Sequence, residues 1–256
     1  GVTGSVYQLT NGTGQLSQHL IQAAKSKVTT NASVTSIERC APGAEAEFCV
    51  TYTDISTNAF HPETLQFDAV IIAAPLEIAN MSLPQALLQP PPMREYRSVH
   101  ITFVAGELSS VYFGAQKKFP GTILTPSSFG DKFSVIGYHG LSSDGHDVFK
   151  VTSIDPVSEE TLNQLFSSVV EVKRLFWPAA YPMLQPSDKW PDFKLMDGLY
   201  YINAMESAVS CMEVEIISGM NAALLASEHL SPPTKPSAHS TITRYAPSFF
   251  SRINPF

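Results

Sequence analysis

The stretch GLYYINAMESAVSCMEVEIISGMNAALLA, residues 198–226, joins a short apolar segment to a segment with helical spacing. Residues 199–202 are apolar and aromatic, which is typical of a buried strand. A capping box then predicts a helix start, because the side chains of Ser210 and Glu213 can each bind a backbone N–H group that lacks a helical partner. A single acid, Glu206, lies between the two segments. The stretch therefore predicts a strand, an acidic connection and a helix.

The predicted helix has one face of larger apolar residues and one flank of small residues. Its spacing places these side chains inward: Met212, Ile216, Ile217, Met220, Ala223 and Leu224. The small residues Ser218, Gly219 and Ala222 leave a flank that another segment can approach closely. The N–H groups and the positive dipole end at the helix start suit a negative charge. We expect a large group to pack near this helix start.

The composition is that of a globular protein. The 256 residues are 44% hydrophobic, which is enough for one large domain or two smaller ones. A net charge of −7 and a pI near 5.5 argue against a nucleic-acid partner. No apolar run approaches the roughly 20 residues that span a bilayer. Position 1 is a glycine with no signal-peptide pattern after it, so we expect the sequence to begin inside a longer or processed protein.

The first part of the chain predicts one helix followed by short strands. Thr13 can cap the helix. Its apolar face would consist of Leu16, Leu20, Ile21 and Ala24. Strands are predicted at 34–37, 48–53 and 65–73, and the last is continuous enough to be a central strand covered on both faces.

A proline-rich crossing at residues 84–92 leads into a second region. Alternating apolar residues predict a mostly antiparallel sheet there, with strands near 99–103, 111–113, 122–124, 133–138, 148–152 and 172–176. A helix begins at Ser158, with an inward face of Leu162, Leu165, Phe166 and Val169. The tail after Leu230 is rich in Ser and Pro and aperiodic, so it is predicted to be disordered.

The cysteines and the glycosylation sequons bear on the compartment. Cys40 and Cys49 flank a loop, and they either face each other across a hairpin or remain two buried thiols. Cys211 at the predicted helix start is interpreted as a small packed residue, with a reactive thiol as the alternative. Sequons at Asn11, Asn31 and Asn80 fit a secretory route.

The common catalytic motifs are absent from the sequence. There is no GxGxxG, P-loop, GxSxG, HExxH or CxxC, and the seven histidines share no metal-ligand spacing, so we predict no metal site. If the protein is an enzyme, its chemistry would then belong to an organic cofactor.

Four segments in a fixed order carry a family resemblance. They are NASVTSI at 31–37, DAVIIAAPL at 68–76, WPAAYP at 177–182 and the stretch 198–226, with GEL at 106–108 fitting as well. This order resembles the FAD-dependent prenylcysteine oxidases, also called prenylcysteine or farnesylcysteine lyases, within the wider amine-oxidase-like flavoproteins. The resemblance covers about residues 1–230.

The resemblance implies a thioether oxidase that degrades farnesyl- or geranylgeranyl-cysteine from prenylated proteins. In such enzymes a hydride leaves the prenyl C1 carbon for the flavin, and water adds to that carbon. The adduct collapses to a prenyl aldehyde and cysteine, while O2 is reduced to hydrogen peroxide. This chemistry needs no side-chain nucleophile. The implied partners are prenylcysteine and O2, and the implied compartment is the lysosome or vacuole.

The resemblance also implies roles for individual residues. The expected FAD-binding residues are Val34, Ala73, Ala74, Pro75, Glu206 and Met212. Val34 would offer its backbone to the adenine, Glu206 would hold the ribityl or pyrophosphate region, and the backbone around Met212 would meet the flavin ring. Trp177 and Tyr181 would form an aromatic wall beside the flavin or the prenyl group, or would belong to an ordinary core. The aromatic residues of the second region would either line an apolar tunnel for the isoprenoid or belong to the core. They are Phe103, Tyr112, Phe113 and Phe133.

The predicted fold class is α/β (α+β), an incomplete Rossmann-like FAD domain with an inserted, mostly antiparallel substrate domain. Residues 1–76 and 196–230 would form the FAD domain, residues 77–195 the substrate domain, and residues 231–256 the disordered tail.

Two departures from the family pattern shape our expectations. Ala204 stands where relatives usually have glycine two residues before the acid, so the backbone would approach the cofactor less closely. The first βαβ unit, which holds much of the FAD, is missing from the sequence. We therefore expect the chain alone to bind FAD weakly or not at all. A non-catalytic fragment or binding protein, or another amine-oxidase-like flavoprotein, stays open as an alternative.

Overall fold

The computed structural model describes residues 12–56, 61–87, 89, 91–114, 119–125, 132–186 and 190–231. The helices are α1 (Gly14–Ala24), α2 (Leu76–Ala79), α3 (Ser110–Phe113), α4 (Glu159–Leu165) and α5 (Met212–Leu230), with a 3-10 helix at Ile202–Ser207. The strands are β1 (Ala32–Arg39), β2 (Phe48–Asp54), β3 (Pro62–Phe67), β4 (Val70–Ile72), β5 (Tyr96–Leu108), β6 (Thr122–Leu124), β7 (Val135–Leu141), β8 (Asp147–Ser153), β9 (Phe166–Pro182), β10 (Lys194–Met196) and β11 (Leu199–Tyr201). Asn11 and the predicted tail from residue 232 onward lie outside the described residues.

The described residues form two compact units. The first comprises those of Gly1–Phe67 and Met81–Pro84, and the second comprises those of Asp68–Asn80 and Gln85–Phe256. The mixed helix and sheet content confirms the predicted fold class. The division into cofactor and substrate domains concerns ligands and stays a prediction.

The first unit contains α1 and an antiparallel sheet in the order β1-β2-β3. Ile37 and Phe48 are its most buried apolar side chains. Cys40 and Cys49 form a disulfide across the β1–β2 connection, which settles the alternative that the sequence left open. Thr13 lies at the predicted cap position of α1, but its side chain makes no capping hydrogen bond.

The predicted inward face of α1 is exposed within the described structure. Leu16, Leu20 and Ile21 are 36%, 54% and 46% exposed, and Ala24 is also exposed. The periodicity correctly predicted a helix, but it could not show whether another element covers the apolar face.

The predicted strand 65–73 was wrong as one element. It breaks at Asp68, so that β3 pairs antiparallel with β2 and β4 pairs parallel with β11. The described sheet has the order β10-β11-β4, which leaves β4 at an edge with Ile71 41% exposed. An apolar run alone therefore did not establish a central strand.

The orientation of α5 is opposite to the predicted one. Ser218, Ala222 and Ala226 are buried, and the two alanines pack on Tyr200 of β11. The large apolar side chains are instead 45% to 64% exposed: Met212, Ile216, Ile217, Met220 and Leu224. The phenol ring of Tyr200 occupies the space between β11 and α5. Its hydroxyl group donates a hydrogen bond to the Leu225 carbonyl at 3.0 Å. The small flank thus gives the close approach that the sequence predicted, but it faces the sheet.

The second unit also holds the predicted antiparallel sheet, with five strands in the order β6-β7-β8-β5-β9. The predicted strand at 111–113 was wrong: these residues belong to α3, which starts where the Ser109 side chain accepts a hydrogen bond from the Tyr112 N–H group. Its core cluster includes Val104, Val151 and Leu165, and Phe113 packs against it together with buried Phe133. Two of the four candidate tunnel residues are therefore core. Phe103 is half-buried beside His139, and Tyr112 is 42% exposed.

Helix α4 starts where the sequence predicted. The Ser158 side chain accepts a hydrogen bond from the Thr161 N–H group. The helix is shorter than predicted, because Phe166 already pairs with Leu108 as the first residue of β9. Val169 consequently lies on a strand and is 39% exposed. No helix among the described residues combines the length and the apolar character needed to cross a membrane.

Candidate cofactor-binding edge

The parallel pair β4–β11 creates one sheet edge where two chain connections meet. Tyr201 pairs with Ile72, so both strands end at the same level. Residues 73–75 leave β4 there, and the 3-10 helix Ile202–Ser207 leaves β11. Ligands of open parallel sheets bind beyond the carboxyl ends of the strands. The predicted residues Ala73, Ala74, Pro75 and Glu206 are therefore brought to one edge.

A nearly buried arginine organises this edge. The Nε atom of Arg94 donates to Oε1 of Glu77 at 2.6 Å, and its Nη2 atom donates to Oε2 at 3.1 Å. The Nη2 atom also donates to the Tyr201 hydroxyl at 2.7 Å and to the Tyr96 hydroxyl at 3.1 Å. The Nη1 atom donates to the Asn203 carbonyl at 2.9 Å. Arg94 thus holds α2, the start of β5 and the 3-10 helix together.

The carboxylate of Glu206 is bound from several directions. Its Oε2 atom accepts from the Tyr96 hydroxyl at 2.9 Å and from Nδ2 of Asn203 at 3.5 Å. Its Oε1 atom accepts from the Ser210 hydroxyl at 3.4 Å. The Nη1 atom of Arg94 lies 3.6 Å from Oε2, and the Glu206 side chain is 12% exposed. A carboxylate offers about two acceptor positions on each oxygen, so Oε1, which accepts one hydrogen bond, keeps room for a further donor.

The electrostatics of the ion pair are set by two opposing effects. Burial alone would raise the pKa of Glu77, but the hydrogen bonds and the charge of Arg94 lower it below its ordinary value. Burial alone would lower the pKa of Arg94, but its hydrogen bonds to Glu77 and the nearby negative charges raise it. Both groups are therefore held in their charged forms.

The neighbouring tyrosines are held in their neutral forms. Burial and the hydrogen bond to Glu206 raise the pKa of Tyr96. Burial, only partly offset by Arg94, raises the pKa of Tyr201 to about 12. Burial and then the charge of Glu206 raise the pKa of Glu215, on the first turn of α5. The tyrosine hydroxyls therefore act as hydrogen-bonding groups that orient the charged residues.

The predicted capping box of α5 was wrong. The helix begins at Met212, one residue later than predicted, and its N-cap Cys211 makes no side-chain hydrogen bond. The Ser210 hydroxyl binds Glu206 instead, because that carboxylate lies within reach. The first N–H groups of α5 have no helical partners by geometry, so they can bind an acceptor on a ligand.

The residues at this edge fit the hydroxyl-rich part of the FAD that the resemblance implies. Within the described part of the chain, two buried polar atoms close to Glu206 have no hydrogen-bond partner: Oδ1 of Asn203 and Oε1 of Glu215. Buried polar atoms are normally paired, so their partners can come from a ligand. Glu77, Glu206 and Glu215 outnumber the single cation Arg94. A site of this charge suits ribityl or ribose hydroxyls better than a pyrophosphate.

The other predicted residues are distributed over the two units. Val34 lies on β1 in the first unit, opposite Tyr52 at a register shift. Met212 at the start of α5 is 58% exposed. Trp177 and Tyr181 lie on β9 opposite Val99 and Arg97, and they are 50% and 48% exposed. These two aromatic residues are therefore not fully buried core, and their role as a wall stays a prediction.

The sequence analysis missed the residues that organise the edge. Arg94 reaches Glu77 across 17 residues and Tyr201 across 107 residues, so no local spacing indicates either contact. The only local signal was a charged residue between a run of prolines and an apolar strand. Glu206 was found because it stands alone between two apolar segments.

Comparison with curated proteins gives relatives of one kind. Prenylcysteine oxidase 1 of Mus musculus is 34% identical over 178 residues, which are 62% of this chain and 34% of that protein. The farnesylcysteine lyase of Arabidopsis thaliana is 32% identical over 161 residues, 62% of this chain and 32% of that protein. Prenylcysteine oxidase 1 of Bos taurus is 28% identical over 242 residues, 88% of this chain and 47% of that protein. The chain thus spans between about a third and a half of the length of these relatives.

Solved structures show the fold. Wild-type putrescine oxidase bound to putrescine matches with a TM-score of 0.52 and 14% identity, over 86% of this chain and 53% of that one. A putrescine oxidase double mutant with redesigned cofactor binding matches with a TM-score of 0.53 and 13% identity, over 85% and 53% of the two chains. The chain therefore shares its fold with part of putrescine oxidase.

The family model described as prenylcysteine lyase matches residues 1–237, which is nearly the whole chain. The four quoted segments all lie inside this match. The chain therefore belongs to the prenylcysteine lyase family.

Proposed function

We propose that the protein containing this chain is an FAD-dependent thioether oxidase that cleaves farnesyl- or geranylgeranyl-cysteine. The observation that carries the proposal is the shared edge of β4 and β11 in a chain of the prenylcysteine lyase family. Glu206 lies at this edge beside two unpaired buried atoms, Oδ1 of Asn203 and Oε1 of Glu215. The overall reaction consumes prenylcysteine, O2 and water and yields a prenyl aldehyde, cysteine and hydrogen peroxide. The flavin supplies the acceptor for the hydride equivalent.

The residues of this chain would bind the FAD and orient it. The carboxylate of Glu206 would accept hydrogen bonds from ribityl hydroxyls, while residues 73–75 would line the path of the dinucleotide. The exposed start of α5 at Met212 would offer backbone N–H groups to the flavin ring. Val34 would contribute its backbone to the adenine. Arg94 would act as a positioning residue, because it fixes the elements that carry Glu206.

The proposal includes a compartment. The disulfide between Cys40 and Cys49 favours an oxidising environment, because reducing compartments keep most thiols free. The sequon residues Asn31 and Asn80 are both exposed, which glycosylation requires. We therefore propose a secretory route that ends in the lysosome or vacuole. Treating the protein from its native source with an N-glycosidase should reduce its mass, and an unchanged mass would contradict glycosylation.

A flavin titration tests the cofactor site. The purified chain is titrated with FAD while the visible flavin absorbance of the bound fraction is measured, and the titration is repeated with any longer product of the same gene. We expect the chain alone to bind weakly. In the form that binds, Glu206→Gln should lower the affinity by about tenfold, because a charge-assisted hydrogen bond contributes roughly 1.5 kcal/mol. Glu213→Gln, on the same helix turn as Met212, is the control and should change little.

Anaerobic addition of S-farnesylcysteine tests the substrate. We expect the visible flavin band to bleach while about one farnesal forms per bound flavin, and we expect the band to return after O2 is admitted. Putrescine, added in a parallel sample, should cause no bleaching. Bleaching by putrescine alone would replace the proposed substrate with an amine. Flavin affinity that does not respond to Glu206→Gln would overturn the proposed cofactor site, and no flavin binding by either form would leave a non-catalytic protein.

A further inference from the structure

A cavity of about 360 Å³ lies next to the cofactor-binding edge, within the second unit. It is bounded by the segment that enters β5, by the segment that leaves β9, and by Ser207 of the 3-10 helix. Tyr96 at the start of β5 pairs with Pro182 at the end of β9, which fixes the distance between the two segments. Ser207 directly follows Glu206, so one end of the cavity adjoins the edge. This volume lies within the range of small-molecule pockets.

One part of the cavity wall is apolar and exposed. It consists of Met93, Met183, Leu184 and Trp190, with several prolines between them. Met93, Leu184 and Trp190 are 70%, 57% and 47% exposed. Large apolar side chains that are exposed together mark a binding surface more often than scattered ones do. Methionine side chains adapt to irregular apolar ligands, so this wall suits a flexible hydrocarbon chain.

The other part of the wall is polar. The Ser207 hydroxyl accepts a hydrogen bond from Nη1 of Arg94 at 3.3 Å, and within the described structure its own hydrogen has no acceptor. That hydrogen can therefore be donated to a ligand. The N–H groups of Arg94 are used by Glu77, by the tyrosines and by the 3-10 helix, so Arg94 orients Ser207 and is not a direct ligand contact. Glu95 also lines the cavity and is exposed, so its carboxylate is within reach of a bound ligand.

We propose that this cavity binds the prenylcysteine substrate, with the isoprenoid chain against Met93, Leu184 and Trp190 and the amino-acid head at Ser207 and Glu95. The head carries one carboxylate and one ammonium group. The Ser207 hydroxyl would donate to the carboxylate, and the Glu95 carboxylate would attract the ammonium group. The inference rests on the proposed function, since it concerns the substrate of the same reaction. It adds the residues that distinguish a prenylated amino acid from a plain isoprenoid.

Two sets of variants test the cavity by isothermal titration calorimetry with S-farnesylcysteine. Leu184→Asp places a charge on the apolar wall and should weaken binding at least about tenfold, because a chain segment would lose its apolar contact. Leu141→Asp is the matched control, since Leu141 is 65% exposed on β7 and is not part of the cavity wall. Both leucines are exposed, so we expect both variants to fold.

Ser207→Ala and Glu95→Gln test the head position. Each should weaken S-farnesylcysteine binding by roughly threefold to tenfold. This is the change in affinity expected when one hydrogen bond or one exposed ion pair is lost. Farnesol lacks the amino-acid head, so its affinity should not respond to either variant. Equal responses of farnesol and S-farnesylcysteine would overturn the proposed head position.

The outcomes separate this inference from the proposed function. Unchanged binding and unchanged kcat/KM in Leu184→Asp would overturn the cavity while leaving the oxidase function standing. In a form of the protein that binds FAD, cavity binding without oxidation would support the cavity and overturn the function. Loss of both binding and turnover in Leu184→Asp, with normal behaviour of Leu141→Asp, would support both.

Discussion

The Arg94 guanidinium and the Glu77 carboxylate form a two-point ion pair, with Nε 2.6 Å from Oε1 and Nη2 3.1 Å from Oε2. The backbone N–H group of Arg94 also donates to Oε1 at 3.0 Å. The two side chains are only 10% and 8% exposed. Because Arg94 also binds the Asn203 carbonyl, this pair holds three chain segments beside the candidate cofactor edge. The geometry of Glu206 therefore depends on a pair that is far from it in sequence.

Removing one member of this pair should be costly. We expect Glu77→Ala to lower the free energy of unfolding by about 3 kcal/mol, because it leaves the Arg94 charge nearly buried without its main partner. The measurement is urea denaturation at pH 7. Glu159→Ala is the control, since Glu159 pairs with Arg174 at 2.5 Å while both side chains are exposed. The control should lose less than about 1 kcal/mol. Equal losses in the two variants would contradict the structural role of the buried pair.

The pH dependence of stability should reveal the buried carboxyl of Glu215. Burial and then the charge of Glu206 raise the pKa of Glu215 above 4.5, so the folded protein holds this proton more tightly than the unfolded chain does. The stabilising contribution of the protonated Glu215 carboxyl is fully present below pH 4.5. It is lost as the pH rises through the pKa that Glu215 has in the folded protein. Glu215→Gln is always neutral, so it should match the wild type near pH 4 and be more stable at pH 7.

The contribution of Glu77 to stability changes with pH in the opposite direction, because its pKa is lowered in the folded protein. Its stabilising contribution is present above pH 4.5 and is lost as the pH falls through the pKa of Glu77 in the folded protein.

The measurement for Glu215 compares denaturation curves of Glu215→Gln and of the exposed-residue control Glu213→Gln at pH 4 and at pH 7. A Glu215→Gln variant that is less stable than the wild type at pH 7 would show that this carboxylate is ionised and paired.

The local features of the fold could be predicted from sequence, because short-range physics determines them. Ser158 caps α4 as predicted, and the segment 198–226 forms a strand, an acidic connection and a helix. The alternation of apolar residues also gave the antiparallel sheet. The boundaries between elements were predicted less accurately, as β3 and β4 show. A single apolar run does not reveal that its two halves pair with different strands.

The features that failed depend on distant residues. The face that α5 turns to the sheet is set by the Tyr200 ring, which admits only small helix residues. The capping box failed because Ser210 binds Glu206 instead of the helix backbone. The Arg94 network joins residues up to 113 positions apart, and hydrogen bonds over such separations leave no periodic signal. The isolated position of Glu206 in the sequence singled it out and the family resemblance suggested its role, but the residues that position it come together only in the folded chain.

The disulfide should stabilise the first unit. The loop between Cys40 and Cys49 is short, so closing it removes chain entropy that corresponds to roughly 2–3 kcal/mol in the unfolded state. We expect Cys40→Ser to lower the unfolding free energy by about this amount. Cys211→Ser is the control, because Cys211 is a free cysteine that is exposed and not packed as the sequence predicted. If adding a reductant destabilises Cys40→Ser as much as the wild type, the disulfide is not the source of the difference.

Gly106 is required by the close approach of β5 and β9. A Cβ atom at this position would lie 2.1 Å from the Ser168 carbonyl oxygen and 3.2 Å from Cα of Val169, and both are backbone atoms. Gly106→Ala should therefore push the two strands apart and lower the unfolding free energy by about 1–3 kcal/mol. Gly137→Ala is the matched control in the same sheet, since a Cβ atom there meets nothing within 4 Å. We expect the control to be unchanged or slightly more stable, because alanine restricts the unfolded chain. A Gly106→Ala variant as stable as Gly137→Ala would show that the β5 and β9 backbones are farther apart than this pairing requires.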